Sequence, residues 1–275
     1  MRQWLPLSKT LTLGPSPGGR GMPRINWIRG EGKGNNEKTL PNRGHLVTSP
    51  DYSTGFYRQY AQEYARISDQ FLQSVYSITS HPKLKNDWDL WDRLMQLAPG
   101  RRGLDAGCGA GARDVFHFWS EGYDIIGIDS IEENIEAARE LHSEIADRVF
   151  VADLNKPLEF DDASFDFVAC NAVIQHIEPE VVRGVVLPHF ARVLRPGGVL
   201  QLMFKCGKDI TTVFDKDYGV DRSFRLYQED EILEILQGLD MTLIKEEDPL
   251  HLGGLMYFTD TKGVDHCVFY ARKSE

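Results

Sequence analysis

The chain has 275 residues, 41% of them hydrophobic, which is enough for one α/β domain with an extension and a substantial core. No run reaches the roughly 18 apolar residues of a membrane-spanning helix. The net charge of −10 is unevenly distributed, because residues 1–46 carry eight Lys or Arg and only two Glu. The acidic remainder argues against a nucleic-acid partner, since neutralisation of phosphates supplies most of that affinity. We therefore expect neither a nucleic-acid nor a membrane partner.

Residues 1–46 are rich in Pro, Gly and Arg, and the breakers at 14–19 prevent a helix or strand. They predict a disordered basic tail. A transit peptide is the alternative interpretation, and Met22 is an alternative start, so whether residues 1–21 belong to the mature protein stays open. The four scattered cysteines lack zinc or disulfide spacing, which predicts reduced thiols and a cytoplasmic location.

The segment 47–98 predicts an N-terminal helical cap. Aromatic side chains recur at helical spacing at Phe56, Tyr60 and Tyr64, and a second apolar face contains Trp88 and Trp91.

From residue 101 onward, strand-like and helix-like segments alternate, which predicts a parallel sheet over 99–275. A capping box at 130–133 predicts a helix start, and a helix at 179–194 contains Pro188, which predicts a kink. Residues 206–227 are interpreted as a polar connection that forms a helical or polar lid. After a first strand before residue 107, the predicted strands are 123–129, 148–153, 165–173, 199–205, 241–246 and 266–272.

The most informative segment is 104–111, Leu-Asp-Ala-Gly-Cys-Gly-Ala-Gly, with Asp129 ending the next predicted strand. A strand, a glycine loop, a helix and a strand that ends in an acid are typical of a βαβ unit that binds an adenosine-containing cofactor. Asp105 stands directly before the glycines, where a carboxylate repels a pyrophosphate but suits a cationic amino-acid group. No Gly-Lys-Ser/Thr follows that could bind phosphates. Polar residues also end the third and fourth predicted strands, at Asp153 and Asn171.

These residues resemble the class I S-adenosylmethionine-dependent methyltransferases of small-molecule type. The resemblance covers about 56–272 and includes the segments 165–168 (Phe-Asp-Phe-Val), 175–177 (Gln-His-Ile) and 193–198 (Val-Leu-Arg-Pro-Gly-Gly). It implies a three-layer, Rossmann-like α/β fold with a mostly parallel seven-stranded sheet and an antiparallel last strand. It also implies S-adenosylmethionine as cofactor, S-adenosylhomocysteine as product and no metal.

The resemblance assigns roles by position. Asp105 would hold the methionyl ammonium, Asp129 the ribose hydroxyls, and Asp153 the adenine amino group. The implied cofactor-binding residues are Tyr57, Tyr64, Asp105, Gly107, Gly109, Gly111, Asp129, Ser130, Asp153, Leu154 and Asn171.

A catalytic base is needed only when the acceptor must lose a proton. His176, after the fourth strand, is the first candidate because an imidazole titrates near neutral pH, and Lys205 is the second. Tyr227 is a candidate for facing the acceptor.

The interpretation is methyl transfer to a small molecule by in-line displacement. Two alternatives remain open at this point. One is methylation of a basic peptide, which an open acidic groove would favour, and the other is a catalytically silent S-adenosylmethionine-binding protein that serves as a partner or sensor. The acceptor atom and the choice between monomer and homodimer also remain open.

Overall fold

A computed structural model describes residues 51–73 and 76–275 of the chain, with side chains described for 54–67 and 76–275. The chain divides into two units between Leu46 and Val47, and the second unit contains all of the described residues. The predicted tail lies outside the described residues, as do residues 47–50 of the predicted cap. None of the helices in the described part is long and apolar enough to cross a bilayer.

The strands form one large sheet and a separate hairpin. The order in the large sheet is β3-β2-β1-β4-β5-β10-β8, with β9 paired to β10, and the hairpin is β6-β7. The strand bounds are β1 (Arg102–Ala106), β2 (Asp124–Asp129), β3 (Val149–Val151), β4 (Phe165–Asn171), β5 (Leu194–Lys205), β6 (Ile210–Asp215), β7 (Val220–Arg225), β8 (Met241–Leu243), β9 (Met256–Thr259) and β10 (Asp265–Lys273).

Strands β1 to β5 are mutually parallel, and β10 runs antiparallel to β5, β8 and β9. This confirms the predicted mostly parallel sheet with an antiparallel last strand. The order reverses direction between β1 and β4, and parallel sheets bind ligands at the carboxyl ends of the strands beside such a reversal.

Helices cover both faces of the sheet and form the N-terminal cap. Their bounds are α1 (Asp51–Gln73), α2 (Asp87–Leu97), α3 (Arg113–Ser120), α4 (Glu132–Leu141), α5 (Pro179–Val181), α6 (Leu187–Val193) and α7 (Glu229–Gly238). Between α5 and α6 lies a π-helical turn, Val182–Val186. Pro188 follows this turn. Proline lacks the backbone N–H and collides with the carbonyl of the preceding turn, so the helix leaves α geometry where the kink is predicted.

The alternation of side chains along β4 explains the three layers. Val168 and Cys170 enter the apolar core on one face of the sheet, whereas Phe167 and Ala169 enter the core on the other. All four are fully buried. Helices therefore bury both faces of the sheet, and the polar residues at the ends of its strands are available to form a binding site.

The interpretation of 206–227 as a helical or polar lid is wrong in its local structure, because β6 and β7 form an antiparallel hairpin there. Their ends are joined by a short turn in which Gly219 has a φ of +67°, the left-handed conformation that glycine favours. Strand β9 also lies between two predicted strands, in a segment to which we assigned no strand. Strand β9 has only four residues, and β6 and β7 mix polar and apolar side chains, so each is a weak signal in the sequence.

The predicted capping box at 130–133 is absent. Ile131 is the N-cap of α4, and its side chain makes no capping hydrogen bond. The Asp129 carboxylate instead accepts the N–H of Ile131 at 2.9 Å. An acid at the end of β2 thus stabilises the start of α4 directly.

Candidate active site

A cavity of about 330 Å³ opens at the carboxyl ends of β1 to β5. The glycine loop, the ends of β2 and β3 and the start of α4 line one side of it. The other side is lined by the first turns of α1, by β7 and by the segment that joins β9 to β10. Its size and mixed lining suit a small-molecule site.

The glycine loop has the backbone conformation for which glycine is needed. Gly107 and Gly109 have φ values of +93° and +65°, and both line the cavity. A Cβ on Gly107 would lie 2.3 Å from Val173 Cγ2, so the loop could not pass Val173 with a larger residue. Gly111, in contrast, is buried and does not line the cavity.

Asp129 lies between the glycine loop and α4. One carboxylate oxygen accepts the N–H of Gly109 at 3.0 Å, and the other accepts the N–H of Ile131 and the amide of Asn134 at 3.2 Å. Burial raises the pKa of Asp129, and these hydrogen bonds oppose that rise. A carboxylate offers about four acceptor positions, so three are used and one remains for a ligand.

Asp105 is buried beneath the loop and does not line the cavity. Burial, followed by repulsion from Asp114, raises the pKa of the Asp105 carboxyl well above its usual range, and Arg113 opposes the rise. Arg113 does line the cavity, with its guanidinium 2.5 Å from the Asp87 carboxylate and 3.4 Å from Asp114. This side of the cavity is therefore rich in buried carboxyl groups that a cationic ligand would stabilise in the charged form.

The predicted residues after β3 and β4 also line the cavity. Asp153 accepts the backbone and side-chain N–H groups of Asn155 at 2.9 and 2.7 Å, so it shapes the turn after β3 as well. Asn171 donates to Asp114 at 3.0 Å and accepts from Gln201 at 2.9 Å. Both side chains are held in place by neighbours within the chain. Leu154, Ser130, Tyr57 and Tyr64 line the cavity too.

Two buried polar atoms on residues that line the cavity have no hydrogen-bond partner within the described part of the chain. They are Nη1 of Arg113, a donor, and Oδ1 of Asn134, an acceptor. Buried polar atoms without partners are costly, and in a cavity wall they indicate a missing ligand group. Neither residue was predicted from the sequence. Arg113 stands two residues beyond the glycine loop and Asn134 one helical turn into α4, positions from which side chains can reach the loop.

His176 lies in the cavity wall in a short helical turn after β4. Its Nε2 is 3.4 Å from the hydroxyl of Tyr57, and that hydroxyl accepts a hydrogen bond from Arg222 at 2.8 Å. Burial lowers the pKa of His176 to about 3, with repulsion from Arg222 and Lys205 adding to the effect. The imidazole is therefore neutral at ordinary pH.

Lys205 ends β5 and also lines the cavity. Its ammonium is 2.7 Å from the Asp260 carboxylate and 3.1 Å from Nε2 of His266. Burial lowers the pKa of Lys205, and the Asp260 carboxylate opposes that fall. The structure thus brings both predicted candidate bases to one cavity, each in a network that the sequence did not indicate.

The β6-β7 hairpin supplies residues that were not predicted from the sequence, Arg222 and Phe224 above all. A turn with Gly219 between two alternating segments was the available signal. The prediction that Tyr227 faces the acceptor is wrong. Its hydroxyl donates to the Ile177 carbonyl at 2.6 Å, so it is buried away from the cavity.

Within the described residues, no group of three or more His, Cys, Asp or Glu side chains is arranged to hold a metal ion.

The chain matches a known protein family across the strands that carry the site. Residues 104–202 match a family described as a methyltransferase domain. This match identifies residues 104–202 as a methyltransferase domain, and the strand order and the glycine loop agree with the class I S-adenosylmethionine-dependent fold that the sequence resembles.

Two curated relatives have names of small-molecule methyltransferases. The 27-O-demethylrifamycin SV methyltransferase of Amycolatopsis mediterranei is 38% identical over 120 residues, which are 41% of this chain and 43% of the relative. The 2-methyl-6-phytyl-1,4-hydroquinone methyltransferase of a Synechocystis species is 32% identical over 110 residues, 40% of this chain and 34% of the relative. The chain thus spans less than half the length of these relatives.

Solved structures share the fold. A 1,6-didemethyltoxoflavin-N1-methyltransferase from Burkholderia thailandensis, solved with S-adenosylhomocysteine, has a TM-score of 0.53 at 19% identity, over 86% of this chain and 94% of its own. An S-adenosylmethionine-dependent methyltransferase from Methanosarcina mazei has a TM-score of 0.54 at 20% identity, over 66% of this chain and 97% of its own.

The residues present fit S-adenosylmethionine, the cofactor of this class. It carries an ammonium, a carboxylate and two ribose hydroxyls. The buried carboxyl groups around Asp105 and Asp129 suit its cationic part. The unsatisfied donor of Arg113 and the unsatisfied acceptor of Asn134 suit its carboxylate and its hydroxyls.

Proposed function

We propose that this protein transfers a methyl group from S-adenosylmethionine to a small-molecule acceptor by in-line displacement. The main supporting observation is a single cavity with a different chemistry on each side. The side at the glycine loop suits the cofactor, and an aromatic and basic side leaves room for a second molecule. When bound, the cofactor supplies an activated methyl group on a sulfonium, so alignment in a closed site can provide much of the rate.

On the cofactor side, the proposed ligands are those implied residues that line the cavity, which leaves out Asp105 and Gly111, with two additions. Asp129 would accept ribose hydroxyls, and Asp153 with Leu154 would bind the adenine. Because three acceptor positions of Asp129 are already used, accepting both hydroxyls requires that one present hydrogen bond be released. We add Arg113 as the donor to the cofactor carboxylate and Asn134 as a second acceptor beside Asp129.

On the acceptor side, His176 would accept a proton where the acceptor must lose one. Its neutral state supports this role, because a protonated imidazole cannot act as a base. Its low pKa also makes it a weak base in the empty site. Arg222 and Lys205 cause part of that low pKa, so an acceptor that offsets their charges would strengthen the base.

The charge of the acceptor side argues against a basic peptide as substrate. Arg222, Lys205 and Lys262 all line this side, and cations there repel a lysine or arginine side chain. The names of the relatives point the same way, since a hydroquinone, a rifamycin and, for an Arabidopsis thaliana relative, phosphoethanolamine are small molecules. The predicted cytoplasmic location stays a prediction.

Replacement of Asp129 tests the cofactor site. The Asp129→Asn variant should bind S-adenosylhomocysteine about 1–3 kcal/mol more weakly, because a charged hydrogen-bond acceptor in a buried site is lost. Calorimetry on wild type and variant gives the difference. The matched control is Asp161→Asn, since Asp161 is exposed and lies outside the cavity. Equal affinity of wild type and Asp129→Asn would refute the ribose role.

Activity itself is tested by label transfer. Wild-type protein is incubated with methyl-labelled S-adenosylmethionine and fractionated metabolite extracts. We expect label in a small molecule that forms only with active protein. Label found only in protein would support the peptide alternative, and binding without any transfer would support the silent partner.

A further inference from the structure

The acceptor side of the cavity has an unusual arrangement of charge. Arg222 and Lys205 come from different strands, β7 and β5, yet both lie against the ring of Phe224. The guanidinium carbon of Arg222 is 5.0 Å from the ring centroid, and the ammonium of Lys205 is 4.7 Å from it. Two cations therefore approach one aromatic side chain in the cavity wall.

The carboxylate that balances Arg222 lies behind it rather than in the cavity. Asp215 is fully buried and does not line the cavity. It is 3.0 Å from Nη1 of Arg222 and 3.3 Å from the ammonium of Lys262, and both of these cations do line the cavity. Lys262 also lies 3.6 Å from the Asp217 carboxylate, which does not line the cavity either, so the two cations line the cavity while the carboxylates paired with them lie outside its lining.

The carboxylates that line the cavity elsewhere are already engaged. Asp260 accepts from Lys205 and from the N–H groups of Lys262 and Val264 at 2.9 Å. Asp87 pairs with Arg113 and accepts from the hydroxyl of Tyr76, whereas Asp129 and Asp153 belong to the cofactor side. Among the described residues, the acceptor side therefore presents more positive than negative charge.

Cations that line a cavity while most of their paired carboxylates lie outside its lining offer hydrogen-bond donors that are already in place for an anion, and hydrogen bonds between charged groups are the strong ones. The planar guanidinium of Arg222 is suited to carboxylate and phosphate groups. It is also held rigidly, because its Nη2 donates to Tyr57 at 2.8 Å and it lies 4.1 Å from the ring centroid of Phe56. A fixed donor loses little entropy when it binds an anion.

The adjoining wall is aromatic. Tyr76, Phe258 and His266 form a stack, with centroid distances of 3.7 Å for the first pair and 4.8 Å for the second. All three line the cavity beside Phe224. This wall would bind a flat or apolar molecule.

We propose that the methyl acceptor is a small organic anion, with a carboxylate or phosphate group bound by Arg222 and Lys205 and an apolar body against Phe224 and Phe258. This inference rests on the proposed function, since it names the acceptor class of the same site. In this proposal Arg222 determines the specificity for the acceptor and does not bind the cofactor.

The experiment measures binding of simple probes to protein saturated with S-adenosylhomocysteine. Benzoate and phenyl phosphate are the anionic probes, and benzamide is the neutral probe of similar shape. Calorimetry should give an affinity about tenfold or more higher for one anion than for benzamide, as expected for a charge-assisted pair. Comparison of the two anions distinguishes carboxylate from phosphate. Added salt should weaken binding of the anion and leave benzamide unchanged.

Two variants locate the effect. Arg222→Gln should lose the preference for the anion, whereas Lys216→Gln should keep it, since Lys216 is exposed on the same hairpin outside the cavity. Arg222→Gln leaves Asp215 beside Lys262, so the buried carboxylate retains a cation. If that variant fails to fold, Arg222→Lys, which keeps the charge, should retain a reduced preference.

The outcomes separate the two proposals. Equal affinity for anion and benzamide, absence of anion binding at millimolar concentration, or an unchanged preference in Arg222→Gln would overturn the inference. Failure of S-adenosylhomocysteine to bind wild-type protein would instead overturn the proposed function. Binding of S-adenosylhomocysteine is therefore measured first, without the probes.

Discussion

At the residue scale, the two sides of the cavity differ in their balance of acidic and basic groups. Asp105 and Asp129 lie near the glycine loop, whereas Arg222 and Lys205 lie on the opposite side. Burial raises the pKa of the two acids, and repulsion from the two cations helps to lower the pKa of His176. The site is thus suited to two ligands of different charge.

The neutral state of His176 predicts how stability depends on pH. Its pKa is lowered from about 6.5 in the unfolded chain to about 3 in the folded one, so the unfolded state binds a proton first as the pH falls. Its contribution to stability is therefore complete above pH 6.5 and is lost progressively between pH 6.5 and 3. In His176→Gln the free energy of unfolding should fall less over this range, by up to about 1.4 kcal/mol per pH unit.

Urea unfolding of wild type and His176→Gln at several pH values checks this, and NMR of the imidazole should show no protonation between pH 5 and 8. His251→Gln is the control, because His251 is exposed and lies outside the cavity. A protonation of His176 near pH 6.5 would contradict the expectation. The same His176→Gln protein should bind S-adenosylhomocysteine as wild type does but turn over more slowly.

At the scale of elements, α1 and the β6-β7 hairpin close the acceptor side together. Their contact is a cluster of aromatic rings around Arg222. Phe56 lies 4.8 Å from Tyr218 between ring centroids, and the Tyr57 hydroxyl accepts from Arg222. The two elements are far apart in sequence, and the hydrogen bond from Arg222 to Tyr57 and these ring contacts fix their relative position. Removal of one of these bonds should loosen the hairpin more than the sheet.

Tyr57→Phe tests this contact. The change removes only the hydroxyl, and a hydrogen bond to a charged group contributes about 1.5–3 kcal/mol. Amide hydrogen exchange in β6 and β7 should become about tenfold faster or more, with β4 and β5 unchanged. Tyr60→Phe is the matched control, because the Tyr60 ring packs 5.2 Å from Tyr218 in the same cluster, whereas the bond to Arg222 comes from Tyr57. Equal exchange in the two variants would show that the Tyr57 hydroxyl does not hold the hairpin.

At the scale of the whole molecule, the sheet is fixed by close packing at its centre. Gly103 in β1 pairs with Ile125 of β2 and Phe167 of β4. A Cβ at this position would lie 2.1 Å from the ring of Phe167, which is fully buried and packs 5.0 Å from the ring of Phe118. The ring belongs to the apolar core on this face of the sheet, so a Cβ at residue 103 would force the core to shift.

Gly103→Ala should therefore lower the free energy of unfolding by about 1–3 kcal/mol, the usual cost of overpacking a core. Calorimetric melting gives the change. Gly184→Ala is the control: Gly184 lies in the helical segment after α5, and an added Cβ there meets nothing within 4 Å. That variant should be unchanged or slightly more stable. A melting temperature equal to wild type for Gly103→Ala would show that the core around Phe167 can rearrange.

The glycine-loop side of the cavity could be predicted from the sequence, and most of the opposite side could not. Gly107, Gly109 and Asp129 lie within one βαβ unit, where strand and helix periodicity and the turn residues fix their places locally. Ser130 is an exception. It was predicted to cap the start of α4, but Asp129 accepts the N–H of Ile131 there, and which of the two side chains does so depends on side-chain conformation. Gly111 is a second exception, because the spacing of the glycines in the sequence does not show that this one is buried.

The order of residues along the chain was thus sufficient for the fold class, the glycine loop, the acids at the strand ends and two candidate bases. It took the packed molecule to show that Arg222 and Tyr57, 165 residues apart, meet over the cavity and that Asp105 lies beneath its wall. The difference comes from the range of the interactions. Backbone conformation and periodic burial act over a few residues and leave a pattern in the chain, whereas a contact between two distant elements depends on how every intervening element packs.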